Sequence, residues 1–222
     1  MKRAASTRTS GSSPAGADPA GFASICTGDS LYSRMIKRDL RRAYDLSRGS
    51  RLARVIDLYR TPGVHAVIVF RFGSWLFTQS LPMRLFLTPL YLFLDHRIRA
   101  KWGIQIQRRV RIGAGFYIGH YGGIFVSDLA TIGENCNISQ DVTIGVAGEG
   151  ARRGAPEIGN NVYMGPGAKI NGRIRIGDNV NIGPNAVVTH NIPADALVHV
   201  RPMQIMIFPG RSKAKNPPPA SA

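Results

Sequence analysis

An aliphatic residue recurs every six positions through the second half of the chain, and this period excludes most folds. Ile106, Ile112, Ile118 and Ile124 stand six residues apart. After a two-residue slip and a later interruption, the series continues as Ile132, Ile138, Ile144, Ile158, Met164, Ile170, Ile176, Ile182 and Val188. A six-residue period fits neither an amphipathic helix nor an alternating strand. It is typical of short strands stacked as a solenoid.

A second series of inward residues stands four positions after many of these aliphatics. Its members are Cys136, Val142, Val162, Ala168, Ile174, Val180 and Ala186. Glycine directly follows the leading aliphatic at Gly113, Gly119, Gly133, Gly145, Gly159, Gly165, Gly177 and Gly183, and glycine tolerates the backbone conformations of tight turns. The pattern predicts triangular coils of three hexapeptides each, with the aliphatic side chains along the axis.

The composition of the ends differs from that of the repeats. Residues 1–30 are rich in Ser, Ala, Gly and Pro, and residues 209–222 are polar and proline-rich. We predict disordered tails there, because so few apolar side chains cannot offset the entropy of ordering. The solenoid is predicted at 104–208, with a loop at 146–157 where the repeats break off.

Residues 31–103 are predicted to be helical. The stretches 31–48 and 51–60 mix apolar residues with many Arg at helical spacing, and 64–94 is strongly apolar. Arginine and proline interrupt that last run, so it predicts packed helices rather than a membrane span. With basic segments beside it, the run also predicts weak peripheral attachment to an anionic membrane.

The net charge of +16 and pI near 10.9 are compatible with several anionic partners. The charge lies mainly before the repeats, and no nucleic-acid-binding motif accompanies it, so we expect no nucleic-acid partner. A solvated basic helix face, a membrane surface, an acidic substrate or cofactor phosphates remain as interpretations. Two cysteines and no secretory h-region favour a reducing, cytoplasmic location.

The repeats "IGNNVYMGPGAKINGRIRIGDNVNIGPNAVV" resemble those of the hexapeptide-repeat acyltransferases, whose fold is a left-handed parallel β-helix. More narrowly, "GHYGGIFVS", "IGENCNISQDVTIG" and "VVTHNIPADALV" resemble the serine-acetyltransferase-like branch, which includes enzymes that acetylate sugars of surface polysaccharides. The similarity covers roughly residues 60–205. It implies a homotrimer, acetyl-CoA bound in the groove between neighbouring β-helices, and a histidine base that falls on His120.

The chain departs from the serine acetyltransferases at three positions. Gly119 and Gln105 stand where that family has aspartates, and Ala155 stands where it has a substrate-binding histidine. We therefore expect the acceptor to be a hydroxyl of a sugar or polysaccharide precursor. The alternative is a serine O-acetyltransferase of cysteine biosynthesis.

His120 is the candidate catalytic residue. An alcohol attacks a thioester poorly until its proton is removed, and an imidazole with an ordinary pKa of about 6.5 is suited to remove it. The alternative for a lone histidine is a structural role. A zinc carbonic anhydrase on the same solenoid would need three converging histidines, which the chain does not offer, so no metal is expected. A non-catalytic scaffold is a further alternative.

Further candidates lie near His120 in the predicted stacking. Gln140 falls one coil after His120 on the same edge. The candidate contacts to the acetyl-CoA arm are Gly145, Pro166, Gly167, Lys169, Pro184 and Asn185, and the candidate substrate contacts are Gln140, Asp141, Arg152 and Arg153. Turn requirements, solvated charges and a loop without contacts are the alternatives for these residues.

Overall fold

The computed structural model describes residues 29–150 and 153–200. The tail predicted at 209–222 lies outside these ranges, as does Arg152. The tail predicted at 1–30 also lies outside them, apart from Asp29 and Ser30, which begin the first helix. In the described part, the helices are α1 Asp29–Leu46, α2 Arg51–Arg60, α3 Pro62–Thr78 and α4 Leu81–Trp102. None of them is both long enough and apolar enough to cross a bilayer.

The helix ends follow local sequence signals. Ser50 caps α2, because its hydroxyl accepts a hydrogen bond from the backbone N–H of Ala53 at 3.3 Å. Helix α4 ends at Gly103, whose φ of +61° lies in the left-handed region that favours glycine. The chain enters the first strand at the next residue, so this glycine sets the direction from helix to solenoid.

Fourteen short parallel strands form three sheets in the described residues. Sheet A contains β1 Ile104–Ile106, β4 Ile124–Val126, β7 Thr143–Gly145, β10 Lys169–Asn171 and β13 Val187–Val188. Sheet B contains β2 Arg111–Ile112, β5 Thr131–Ile132, β8 Glu157–Ile158 and β11 Arg175–Ile176. Sheet C contains β3 Tyr117–Ile118, β6 Asn137–Ile138, β9 Tyr163–Met164, β12 Asn181–Ile182 and β14 Leu197–Val198. The prediction of a parallel β-solenoid after a helical region is confirmed.

The predicted aliphatic series fills the solenoid interior. Ile112 stacks on Ile132, and Ile132 stacks on Ile158, with each strand one coil above the last. These side chains are buried, as is Cys136 of the second series. Burial raises the pKa of the Cys136 thiol to about 11. A single coil could not bury its own aliphatics, so the core exists only because the coils are stacked.

The two-residue slip falls at a different place from the one the spacing suggested. The sequence pattern puts it after Ile124, but Val126, rather than Ile124, stacks between Ile106 and Ile144. The two extra residues therefore lie between Ile118 and Val126, in the turn that carries His120. The six-residue spacing alone does not reveal the position of the slip, because Ile124 is also aliphatic and buried.

A buried ion pair fastens the helices to the first coil. The Arg71 guanidinium on α3 donates from Nε to Asp39 Oδ2 on α1 at 2.8 Å, and both side chains are buried. Arg71 also donates to the carbonyls of Ile112 and Gly113, each at 2.6 Å. Asp39 Oδ1 accepts from the N–H of Gly115 at 2.6 Å. Two helices and one turn of the solenoid thus share a single polar network.

Candidate active site

We call the turns from sheet C to sheet A the C–A corner. It comprises residues 119–123, 139–142, 165–168 and 183–186, one segment for each of four successive coils. Backbone hydrogen bonds link neighbouring segments: Asp141 N donates to Gly122 O at 2.7 Å, Gly167 N to Gln140 O at 2.9 Å, and Asn185 N to Pro166 O at 2.8 Å. Gly122, Gln140, Pro166 and Pro184 therefore occupy corresponding positions on one edge of the solenoid, and His120 lies two residues before Gly122 in the first segment.

His120 lies exposed on the widest of these segments. No hydrogen bond or ion pair to the imidazole occurs among the described residues. Two residues later, Gly122 has a φ of +107°, and apart from its chain neighbours no described heavy atom lies within 4 Å of the place where a side chain at that position would begin. The two-residue insertion and the glycines thus leave the imidazole exposed on this side of the corner.

Asp141 occupies a turn position that recurs from coil to coil. Its φ is +57°, and the corresponding residues of the neighbouring coils, Gly123, Gly167 and Asn185, also have positive φ. The Asp141 carboxylate packs against Gly123 in the way that the Asn185 side chain packs against Gly167. The position therefore has a structural function in the turn, and it also places a carboxylate in the corner segment of the coil that follows the one with His120.

Lys169 is engaged within the corner. Its ammonium group donates to the backbone carbonyl of Asp141 and, at 3.2 Å, to Thr143 Oγ1. An ammonium has three N–H donors, so one remains for an external anion. Lys169 thus lies where the C–A corner leads into strand β10 of sheet A, close to the edge that carries Pro166 and Pro184.

Two acceptor atoms beside this edge have no donor among the described residues. They are Gln140 Oε1 and Asn137 Oδ1, and both are buried. A buried acceptor without a donor is uncommon in proteins and needs an explanation.

Two of the predicted residues lie away from His120. Gly145 ends β7 and pairs with Asn171 in sheet A, with the Asn171 side chain packed against it. The following loop, residues 146–156, leaves the turn between sheets A and B, and a backbone bridge between Ala147 and Gly154 closes it. Arg153 is exposed on this loop. Within one chain the structure therefore brings neither Gly145 nor Arg153 to the C–A corner.

The three residues that depart from the serine-acetyltransferase pattern lie at different places in the solenoid. Gln105 is the middle residue of β1 and pairs with Phe125, Gly119 begins the corner, and Ala155 packs against the core near the end of the loop. The residues that the structure describes include no group of three His, Cys, Asp or Glu side chains placed to hold a metal ion.

The comparison with protein families agrees with the repeat pattern. Residues 155–190 match the family model described as bacterial transferase hexapeptide (six repeats). A serine acetyltransferase of Synechocystis sp. is 41% identical over 141 residues, which are 64% of this chain and 54% of the relative. A serine acetyltransferase of Synechococcus elongatus is 35% identical over 137 residues, covering 62% of this chain and 54% of the relative. The chain thus spans about half the length of these relatives.

Solved structures extend the match over the helices and the solenoid. The serine acetyltransferase of Neisseria gonorrhoeae, in complex with serine, has a TM-score of 0.64 and 31% identity, covering 78% of this chain and 68% of that one. Isoform 3 from Entamoeba histolytica, in complex with cysteine, has a TM-score of 0.63 and 30% identity, covering 81% and 62%. Because the neisserial protein is matched over more than two thirds of its length, this chain belongs to the hexapeptide-repeat transferases, in the serine-acetyltransferase-like branch.

Proposed function

We propose that the chain is an acetyl-CoA-dependent O-acetyltransferase that acetylates the hydroxyl of serine. The observation that carries the proposal is the open, glycine-flanked His120 on the C–A corner of a solenoid that is 31% identical to a neisserial enzyme solved with serine. The similarity to these relatives indicates serine as the acceptor, and the exposed imidazole provides a base for the serine hydroxyl.

The sugar or polysaccharide acceptor expected from the sequence is wrong. That expectation rested on the missing side chains at Gly119, Gln105 and Ala155. The similar chains, which are 31–41% identical, are named serine acetyltransferases. A repeat pattern fixes the coil interior, whereas the contacts to an acceptor come from corners, loops and neighbouring chains, so three departures at such positions were weak grounds for choosing the acceptor.

His120 would act as the general base. One imidazole nitrogen accepts the proton of the serine hydroxyl while the oxygen forms a bond to the acetyl carbon. The carbon–sulfur bond breaks, and the imidazolium returns the proton to the departing thiolate, so that the products are an ester and a thiol. General-base help of this kind is worth about 10²–10⁴-fold in rate. A group that orients the imidazole would come from the substrate complex or a neighbouring chain.

Acetyl-CoA supplies the acetyl group as an activated thioester. We propose that Gln140, Pro166, Gly167, Pro184 and Asn185 form its track along the C–A corner. The remaining N–H of Lys169 fits an anionic group of the cofactor. Gly145 and Arg153 could contact the cofactor or substrate only across an interface between chains, because the structure places both away from the C–A corner. Arg152 lies outside the described residues, and its contact to substrate stays a prediction.

A homotrimer is part of the proposal. Sheets A and C, which flank the C–A corner, present exposed apolar side chains such as Phe125, Val187, Tyr163 and Leu197. Sheet B instead presents Arg111, Glu157 and Arg175. Apolar faces on both sides of the His120 corner favour chain-to-chain packing there. Light scattering should give three times the chain mass, and a monomer at micromolar concentration would contradict this.

The decisive test measures release of free CoA thiol from acetyl-CoA by the full chain. We expect release that depends on serine and is absent with sugars or polysaccharide as acceptors. His120→Ala should lower the rate about 10²–10⁴-fold, while His190→Ala, which removes another exposed solenoid histidine, should leave it unchanged. Serine-independent release, or equal loss in both variants, would refute the proposal.

A further inference from the structure

The outward side of α4 is apolar over its first three turns. The exposed side chains of this surface, the α4 apolar face, are Leu81, Met83, Leu85, Phe86, Leu90, Leu92 and Phe93. Phe86 is 80% exposed and Leu85 is 68% exposed. The opposite side of the helix packs against α3 through residues such as Tyr91 and Ile98. A contiguous exposed apolar surface of this kind marks an interaction site.

Helix α2 presents a second exposed apolar face. It has no buried residue, and it exposes Leu52, Val55, Ile56 and Tyr59 at helical spacing. The C-terminal end of α2 meets the C-terminal half of α4 at a cleft of about 500 Å³, lined by Tyr59, Arg60, Arg97, Lys101 and Trp102 among others. Two uncovered helix faces thus adjoin the same basic and aromatic cleft.

The charges beside these faces are almost all positive. Together α2 and α4 contain seven Arg or Lys and two Asp. Both carboxylates are already engaged, because Asp95 pairs with Arg99 and Asp57 accepts a hydrogen bond from Ser47 Oγ at 2.8 Å. Within the described residues, Arg60, Arg97 and Lys101 have no carboxylate partner. The cleft therefore holds three cations that no described carboxylate neutralises.

Apolar and basic side chains follow one another along a single stripe of α4. Phe86, Leu90 and Phe93 are followed at the same helical spacing by Arg97 and Lys101. The Arg97 guanidinium lies 5.8 Å from the centroid of the Phe93 ring. Helices with an apolar face bordered by Arg and Lys lie in the plane of a membrane interface, with the cations at the headgroups.

We propose that the α4 apolar face and α2 dock on an anionic lipid bilayer, with Arg60, Arg97 and Lys101 binding lipid headgroup phosphates. An anionic bilayer offers both a continuous apolar layer and a dense sheet of negative charge, which matches the two halves of α4. The contact surface differs from the 64–94 range suggested by the sequence, because it adds α2 and the basic end of α4 and omits α3. Helix α3 is excluded, since Val64, Ala66, Val67, Phe70 and Leu76 are buried.

The proposal is tested by sedimenting the full chain with vesicles of phosphatidylcholine alone or of phosphatidylcholine mixed with phosphatidylglycerol. We expect binding to the anionic vesicles that weakens as salt is raised. Leu85→Ser with Phe86→Ser should weaken partitioning about tenfold or more. Arg97→Gln with Lys101→Gln should weaken it roughly tenfold, for the anionic vesicles only. Leu129→Ser, which alters an exposed leucine on the solenoid, should have no effect.

Two outcomes would overturn it. One is equal partitioning to neutral and anionic vesicles, and the other is unchanged binding by the Leu85→Ser, Phe86→Ser variant. If that variant also loses mass in light scattering, the α4 apolar face is a contact between copies of the chain. The readout is partitioning, so it is independent of the acetyl-transfer assay.

Discussion

The solenoid and the helical region differ in how far their large apolar side chains are buried. In the solenoid, the six-residue aliphatic series is buried along nearly its whole length. In α2 and α4, many of the largest apolar side chains face outwards. The difference follows from architecture, because each inner coil of the solenoid is covered by the coils above and below it. Among the described residues, no second layer covers α2 or the outward side of α4.

The comparison teaches that the two regions have different sources of stability. The solenoid is stabilised by contacts that repeat from coil to coil. The helices are fastened to it through a small polar network, Asp39 with Arg71 and the turn at Gly113 and Gly115, together with the packing of α3. Mutations should therefore have large effects in the solenoid interior and at that network, and small effects on the open helix faces.

The largest stability effect is expected from Arg71→Met. It leaves Asp39 buried without its cation and removes the donors to the carbonyls of Ile112 and Gly113. Breaking a buried pair in this way costs about 3–5 kcal/mol, which urea unfolding would measure. The matched control is Arg175→Met, which removes an exposed pair with Glu157 and should cost less than about 1 kcal/mol. Equal costs would show that the helices do not depend on the buried network.

The next effect compares the same kind of truncation in the two regions. Ile138→Ala in the solenoid core should lower the free energy of unfolding by about 2–5 kcal/mol, through lost burial and the cavity left behind. Leu85→Ala on the α4 apolar face should change it by less than about 0.5 kcal/mol. Similar losses in thermal unfolding would mean that α4 is covered in solution and that the contrast between the regions is wrong.

A smaller effect comes from the buried thiol of Cys136. Its pKa of about 11 lies above the ordinary value of 9.0, so the unfolded chain ionises first as pH rises. The stabilising contribution is complete below pH 9 and is lost as pH rises towards 11. Between pH 8 and pH 10 the loss is roughly 1 kcal/mol. The free energy of unfolding should be measured at both pH values for the original chain and for Cys136→Ala. We expect this loss in the original chain and not in the variant, and an identical pH dependence of the two would contradict the prediction.

The smallest effect is expected at a solenoid corner. Asp141 has a positive φ, as do the glycines at its neighbouring positions, so Asp141→Gly should change stability by less than about 0.5 kcal/mol. Asp141→Ala keeps a Cβ at the same positive φ but removes the carboxylate, so it should lower the free energy of unfolding by about 1 kcal/mol or more. If Asp141 serves only the turn, Asp141→Gly keeps acetyl transfer within about tenfold of the original rate. A much greater loss with unchanged melting would assign the carboxylate to the reaction.

Positions in the turns show how far the sequence could be read. Asn135, Asn161, Asn179 and Asp195, together with Gly115, share positive φ in the turns from sheet B to sheet C. Their recurrence was visible in the sequence as a column of Asn, Asp and Gly. The slip at the His120 corner was not, because Ile124 and Val126 are both aliphatic and only strand pairing distinguishes them.

The sequence by itself determined the parallel solenoid, the helical region before it and the family, because a six-residue period and local motifs are encoded along the chain. Only the tertiary structure decided which candidate residues meet, that Gly145 and Arg153 lie away from His120, and that α3 is buried while α4 is open. Those outcomes depend on contacts between residues far apart in sequence, such as Arg71 with Ile112. A sequence pattern indicates which side chains are apolar enough to be buried, but it does not indicate which surfaces stay exposed after the chain has folded.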